Sequence, residues 1–340
     1  MAAVKFDVGH LSTVLCVDAA DKMAASGDED SSLILWTPDG VATGKITAGT
    51  GGVNAVRLAR SKPEIYAAAG DQIYNYDSRN LKTPLFVYSV NADEVNDLRI
   101  GGASAEQYLS AADDSGAIRV VDLKNRRLFK TLRKHDNICT TAAFRPDRPT
   151  EIITGGMDCN VVRWDFKRAR PLRRFDMNEL VDKTDESRFV LNPPLVHSVC
   201  ISADGAVLAA GLDNAQIKLF DTSGKGVFYK KSLNAHRQGV ACVHFAAFGS
   251  HVLISGANDS TVAVWKNVAE ILTPPKKKKE SLDDAAGTSA TDTGAADSAD
   301  DAVKIFEHGS KVNGLSSWKQ NGNQILVVDQ SKLISAYTLS

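Results

Sequence analysis

The sequence predicts an all-β protein, a ring of seven four-stranded antiparallel blades, and three observations carry that prediction. First, a pattern of His, Ser or Thr, Asp and Trp recurs along the chain. His135, Thr154, Asp158 and Trp164 are spaced as His236, Ser255, Asp259 and Trp265 are, with 29 residues from His to Trp, 10 from Ser or Thr to Trp and 6 from Asp to Trp. Ser26, Asp30 and Trp36 repeat the separations of 10 and 6, and His10 precedes Trp36 by 26. An internal repeat of this kind is the signature of an array of supersecondary units. Second, seven short segments of period-two alternation close the units: LILW, QIYNY, AIRVV, VVRW, QIKLF, TVAVW and LISAY, ending at Trp36, Tyr76, Val121, Trp164, Phe220, Trp265 and Tyr337. Third, with 267–301 set aside, the units average about 44 residues, a length that fits one propeller blade.

Each unit resolves into the same strands. An inner strand opens it (VLCVD, VNAVRL, VNDLRI, CTTAAF, HSVCIS, VACVHF, KVNGLS), a second apolar strand follows (KMAAS through QILVV), and the closing segment is the third. Small and polar residues such as GDED, GMD and ANDS make the tight turn from second to third strand. A looser outer strand follows the first six units: GKITA, FVYSV, LFKTL, LRRFD, VFYKKSL and VKIFE. No such strand follows Tyr337, but VKFDVGH at 4–10 resembles VKIFEHG at 303–309. Residues 3–8 are therefore expected to complete the blade made by 310–339, which removes the open junction of the ring.

The whole of 1–340 reads as one propeller with two interruptions. Residues 177–194 lengthen the connection between blades 4 and 5, and 267–301 interrupt blade 6 before its outer strand. The latter is Lys-rich, then acidic, without aromatic residues, and is expected to be disordered because it cannot bury enough apolar surface to offset ordering entropy.

Composition excludes several classes. With 43% hydrophobic residues, 24% charged and a formal net charge of -1, the chain reads as globular, with no overall bias toward nucleic acid or anionic membranes. No nucleic acid is expected as a direct partner, and the propeller is expected to be monomeric. The five cysteines never form a CxxC pair and mostly sit among apolar neighbours, which reads as reduced thiols of a soluble intracellular protein. No segment has the length and hydropathy of a signal peptide or membrane span. His197, His244 and His251 lack ligand spacing, so no metal is expected. GTGG at 49–52 lacks the GKS/T that a phosphate loop needs, and no cofactor is expected.

The His–Ser/Thr–Asp–Trp set contains the residue types of a catalytic triad. It recurs in several blades, however, whereas an enzyme needs one site, and no GxSxG elbow accompanies it. A structural reading is sufficient. A buried indole N–H needs an acceptor, a hydroxyl can accept it and donate onward to His, and the turn Asp can accept from the other ring nitrogen. Blades 2, 3, 5 and 7 are degenerate, with Gly70, Asp114 (one residue early), Asn214 and Ser331 at the Asp position. They are expected to be held by packing alone.

The lattice resembles the WD40 repeat, and the stretches SAADDSGAIRVVDLKNRRL, HDNICTTAAFRPDRP, KRARPL, LNPPLVHS, SGANDS and ILVVDQSKLISAY, spread from Leu109 to Tyr337, are similar to the WD repeat-containing protein 53 family. That resemblance implies a non-catalytic scaffold, a substrate receptor docking on the propeller adaptor of a cullin-4 RING ubiquitin ligase. In adaptor-binding propellers a closing strand typically ends Trp-Asp-x-Arg, the Arg projecting from the narrow face. Here Trp164-Asp165-Phe166-Lys167 carries Lys in the Arg place with Arg168 after it, and Tyr76-Asp77-Ser78-Arg79 carries Tyr in the Trp place. Lys keeps the charge but loses the planar fork. Asp77, Arg79, Asp165, Lys167 and Arg168 are the docking candidates.

A second reading is a peptide-reading module of a nuclear complex (chromatin or RNA processing) without ubiquitin chemistry. Its candidates lie in loops of the wider face: Asp93, Glu94, Asn137, Arg237, Gln238, Asn258 and Lys311. Lys276, Lys277, Lys278 and Lys279 in PPKKKKE read equally as a nuclear import signal or as a solvated charge run. Both nucleus and cytoplasm are the expected compartments.

Overall fold

A computed structural model describes residues 3–6, 9–20, 22–101, 106–180, 192–272 and 303–339. Its strands form seven antiparallel sheets of four, arranged as the blades of a propeller. The inner strands are Val14–Ala20, Val53–Leu58, Val95–Gly101, Cys139–Phe144, Val196–Ile201, Val240–Phe245 and Val312–Trp318. In blade 4, for example, Cys139–Phe144 pairs Glu151–Gly156, which pairs Asn160–Asp165, which pairs the outer strand Arg170–Asp176. Ala3–Lys5 supplies the outer strand of blade 7, with Val4 opposite Ala336, so the ring closes through the two ends of the propeller.

Both surfaces of every sheet are apolar, and the reason is the arrangement of neighbours. Successive residues of a strand point to opposite faces, and in a ring each face meets another blade. Seven apolar clusters result among the described residues, one at each junction. Leu33, Leu35 and Ala25 of blade 1 pack on Val53, Ile65 and Tyr76 of blade 2, while Ala24, Ile34 and Trp36 pack backwards on Trp318, Leu326 and Phe6 of blade 7. Glycine permits the closest approach. A Cβ on Gly27 would lie 2.3 Å from Val53 Cγ1, and one on Gly155 2.5 Å from Val196 Cγ1, in each case the first valine of the next blade.

Both interruptions hold ordered residues. At the start of the 267–301 interruption, where disorder was expected, Val268–Ile271 forms a short helix with Val268 fully buried in the cluster that contains Trp265. The outer strand resumes at Val303–Glu307, and 273–302 lie outside the described residues. Of the long connection after blade 4, Met177 is buried in the junction with blade 5, and 181–191 lie outside the described residues.

Phe6 anchors the closing strand. It is buried against the rings of Trp36 and Trp318, with centroids 5.5 and 6.4 Å away. Phe6→Ala is expected to cost about 3 kcal/mol by urea denaturation, within the range for emptying a buried aromatic site, whereas Lys5→Ala, on an exposed side chain, should change stability by less than about 0.5 kcal/mol.

Candidate protein-interaction surfaces

Three blades hold the bonded chain of His, Ser or Thr and Trp. In blade 4 the Trp164 indole N–H donates to Thr154 Oγ1 at 3.0 Å, His135 Nε2 lies 2.8 Å from the same hydroxyl, and His135 Nδ1 meets Asp158 at 3.0 Å. In blade 6 Trp265 donates to Ser255 at 3.1 Å and His236 Nε2 lies 2.8 Å from Ser255. There Thr261 intervenes, 2.8 Å from His236 Nδ1 and donating to Asp259 at 2.7 Å. A carboxylate only accepts, so the proton belongs on Nδ1 and the hydroxyl donates to Nε2 while accepting from the indole. Each loop leading into a blade is thereby tied to its second and third strands.

Blade 1 corrects the sequence reading. The acceptor is Asp28, fully buried at the end of the second strand and 2.7 Å from His10 Nδ1, while Asp30 is exposed in the turn. Trp36 donates to Ser26 at 2.7 Å, and Asp28 also accepts from the backbone N–H groups of Ser32 and Asp30. The same alternative position is used in blade 7. Asp329 accepts from His308 Nε2 at 2.7 Å, and Tyr337 OH lies 2.7 Å from His308 Nδ1. Blade 7 is therefore not held by packing alone. Nor is blade 3, where buried Asp113 lies 3.4 Å from Arg119, or blade 5, where Asp213 lies 2.9 Å from His197 Nε2.

A second set of bonds runs around the central cavity, about 330 Å³ in volume and lined by the inner strands. Every inner strand carries a register irregularity between its first and third residues. Such a bulge disrupts the ladder locally, and the next blade's first carbonyl is met from the side. Asn96 donates to Cys139 O, Thr140 to Val196 O and Asn313 to Val14 O, at 3.2, 2.6 and 2.9 Å. One residue further along, Asp97, Thr141 and Ser198 accept the backbone N–H of Ala142, Val199 and Val243. Asp97 also receives Arg57 at 2.7 Å and Arg99 at 3.0 Å, joining blades 2, 3 and 4.

Burial sets the protonation of this frame. Desolvation lowers the pKa of His10 and His236, against the pull of Asp28 and Asp259. His244, whose Nε2 lies 2.8 Å from Ser317 Oγ, is held at about 4 by desolvation, opposed by Asp18 and reinforced by Arg99, Arg57 and Arg60. Burial works against the charge of Asp158, Asp259 and Asp329, yet their hydrogen bonds bring each below the usual carboxylate range. Burial also pushes the Cys16, Cys200 and Cys242 thiols up to about 12, which leaves them unreactive packing groups.

The turns between third and outer strands share one face of the ring. Arg79 Nε and Nη2 both bond the Asp77 carboxylate, at 2.9 and 2.6 Å, and its side chain is 74% exposed. This fork raises the Arg79 pKa and brings Asp77 down to about 2. In blade 4 the partner of Asp165 is Arg168, at 2.8 Å and 78% exposed, while Lys167 Nζ sits 5.9 Å from the Tyr108 ring centroid. The guanidinium on Asp165 is thus that of Arg168, which donates through Nη1 alone, and not a side chain in the motif's Arg place. On the opposite face, Asp93, Glu94, Asn137, Arg237, Gln238 and Lys311 are exposed and Asn258 half-buried, all in loops entering blades or in second-to-third turns. Glu94 accepts from Asn54 at 2.6 Å, and the Arg237 backbone N–H donates to Asp259. Lys276, Lys277, Lys278 and Lys279 lie outside the described residues. Among the described residues no three His, Cys, Asp or Glu side chains gather as a metal site.

The family model "WD domain, G-beta repeat" matches residues 4–37, 126–165 and 228–266. Each matched segment runs from one blade's outer strand through the third strand of the next, and each ends in a Trp-closed brace. The WD repeat-containing protein 53 homolog of Dictyostelium discoideum is 28% identical over 96% of this chain and 93% of its own length. The WD repeat-containing protein ATCSA-1 of Arabidopsis thaliana is 26% identical over 52% of this chain and 40% of its own length. For Protein groucho of Drosophila melanogaster the values are 25%, 44% and 18%. The chain thus carries WD40 repeats and resembles the first of these proteins along nearly its whole length. WD40 propellers are typically non-catalytic and generally bind proteins, so the fold implies a protein-interaction scaffold.

Two outcomes follow from the braces. Asp28→Asn should cost about 1–3 kcal/mol, because it weakens a buried charge-assisted bond, whereas Asp30→Asn should stay within about 0.5 kcal/mol; both are read by denaturant titration. The histidines give a pH dependence. An unfolded His takes up its proton near pH 6.5, while His244 stays neutral in the fold down to about 4. Between those values the unfolded chain binds more protons, so stability falls as pH falls. The melting temperature should drop from pH 7.5 to pH 5, and His244→Gln, which cannot titrate, should shrink that drop.

Proposed function

We propose that this scaffold is a substrate receptor that docks on the adaptor of a cullin-4 RING ubiquitin ligase through the face carrying the third-to-outer turns of blades 2 and 4. The observation that supports the reading is an Asp–Arg pair that recurs in the same turn of two blades. Two blades, separated by one, end their third strand in an Asp that orients an exposed guanidinium, Arg79 on Asp77 and Arg168 on Asp165. A guanidinium held in one orientation loses less side-chain entropy when it meets a carboxylate or backbone carbonyl of a partner. The braces and inter-blade bonds serve it indirectly, by holding the turns at fixed positions on a rigid ring.

The other face serves the substrate in this reading. Its loops surround the mouth of the central cavity, where Asn54, Asn96, Thr140, His197 and Asn313 present polar groups. In the peptide-reading alternative the same loops hold the ligand and the turn face is vacant. Affinity purification of the tagged protein followed by mass spectrometry separates the two. Adaptor and cullin-4 should be recovered with the wild type and fall by about tenfold or more with Arg79→Glu combined with Arg168→Glu, the scale for charge reversal of interface anchors. Lys304→Glu, on the exposed outer strand of blade 6, should recover them undiminished. Equal recovery with the double variant would remove this docking assignment.

A further inference from the structure

Charge is unevenly distributed around the ring. Residues 122–136, 165–176 and 221–231, which run through the third-to-outer turns and outer strands of blades 3, 4 and 5 and the connection leaving blade 3, hold fourteen Lys and Arg against five Asp, in a chain of formal net charge -1. The outer strand of blade 1 has only Lys45, that of blade 2 has no charge, and that of blade 6 balances Lys304 with Glu307. Ion pairs of 2.8, 3.7 and 3.5 Å engage Arg168, Arg174 and Lys230. Among the described residues Arg126, Arg127, Arg133, Arg170 and Arg173 are exposed and have no such pair.

The sector is continuous across blades and interleaved with rings. The Arg173 guanidinium of blade 4 lies 4.7 Å from the Phe175 ring centroid and 6.0 Å from that of Phe228 on blade 5. Phe228 is 53% exposed. Arg174 reaches Asp136, in the connection from blade 3, at 3.7 Å.

We infer that this sector binds the phosphodiester backbone of a single-stranded nucleic acid, with Phe228 and Arg173 as a platform on which a base stacks. The chemistry points to this polyanion over others. Guanidinium forks match phosphate oxygens, and alternation of cations with an exposed ring is the arrangement used for single strands. The surface lies on the outer circumference of three consecutive blades and is convex, so a flexible strand can follow it. A flat bilayer cannot, and Phe228 and Leu128 are the exposed large apolar side chains in the sector that could enter one. An acidic peptide would meet the charges but leave the ring unused. Overall charge balance had argued against a nucleic-acid partner; the balance conceals the segregation.

The test uses the full chain and a fluorescein-labelled oligouridylate of about 20 nucleotides, read by anisotropy over a salt series. For about five neutralised phosphates the log–log slope is expected near −3.5. Combining Arg126→Glu, Arg127→Glu, Arg133→Glu and Arg173→Glu should weaken binding by about 100-fold and flatten the slope. Lys5→Glu, Lys82→Glu, Lys266→Glu and Lys304→Glu together make the same charge change on exposed sites elsewhere and should stay within about threefold. Phe228→Ala should weaken binding by about tenfold and keep the slope. Melting curves of each variant confirm that it is folded. The inference is overturned if the strand does not bind at low salt, if the two fourfold variants lose affinity equally, or if poly-glutamate or phosphatidylserine vesicles compete for the same residues more tightly than the strand does.

Discussion

Each blade of this protein has two apolar faces and therefore needs two neighbours. A sheet such as Glu151–Gly156 with Asn160–Asp165 alternates Ile152 toward blade 3 and Ile153 toward blade 5, so neither face can be left to water. A row of such sheets has two uncovered ends; a ring has none. Everything else serves that closure. Ala3–Lys5 joins the last blade to the first, Phe6 fills the junction, and glycine at 27 and 155 lets the first valine of the next blade, Val53 and Val196, pack close against the sheet.

Polar groups in this apolar ring act at its two radii. Near the channel, Asn96, Thr140 and Asn313 reach the next blade's carbonyls, and Asp97, Thr141 and Ser198 the next blade's N–H groups. Further out, the His-centred chains tie entering loops to strands. At the junction of blades 4 and 5, the fully buried Arg145 bonds Glu151 and the Thr222 carbonyl, so one blade's turn is fixed on another. Rigidity of this kind suits a molecule whose work is to hold surface turns in place for partners.

The blades, their order and the closing strand were legible because hydrophobic alternation and repeat spacing are local. Trp164, Thr154 and His135 could be connected from spacing for the same reason. Asp28 could not be told from Asp30: both are acidic, two residues apart, and the choice depends on whether the strand end or the turn faces the histidine. His308 and Asp329 were hidden because Tyr337 replaces Trp and Val327 stands where the hydroxyl would be. The inter-blade bonds depend on contacts between residues some forty or more apart in sequence, although a polar second residue in an apolar inner strand was a signal that could have been read. Which of Lys167 and Arg168 meets Asp165 depends on turn geometry, which residue types alone do not specify.

In the proposed docking the two faces of the ring do different work, and hydrogen exchange measured by mass spectrometry on the propeller with and without the ligase adaptor distinguishes them. Binding as proposed predicts slowed exchange confined to the turns at 77–79 and 165–168, with the loops holding Asp93, Asn137 and Arg237 unchanged. Protection in those loops, with the two turns exchanging as in the free protein, would contradict it.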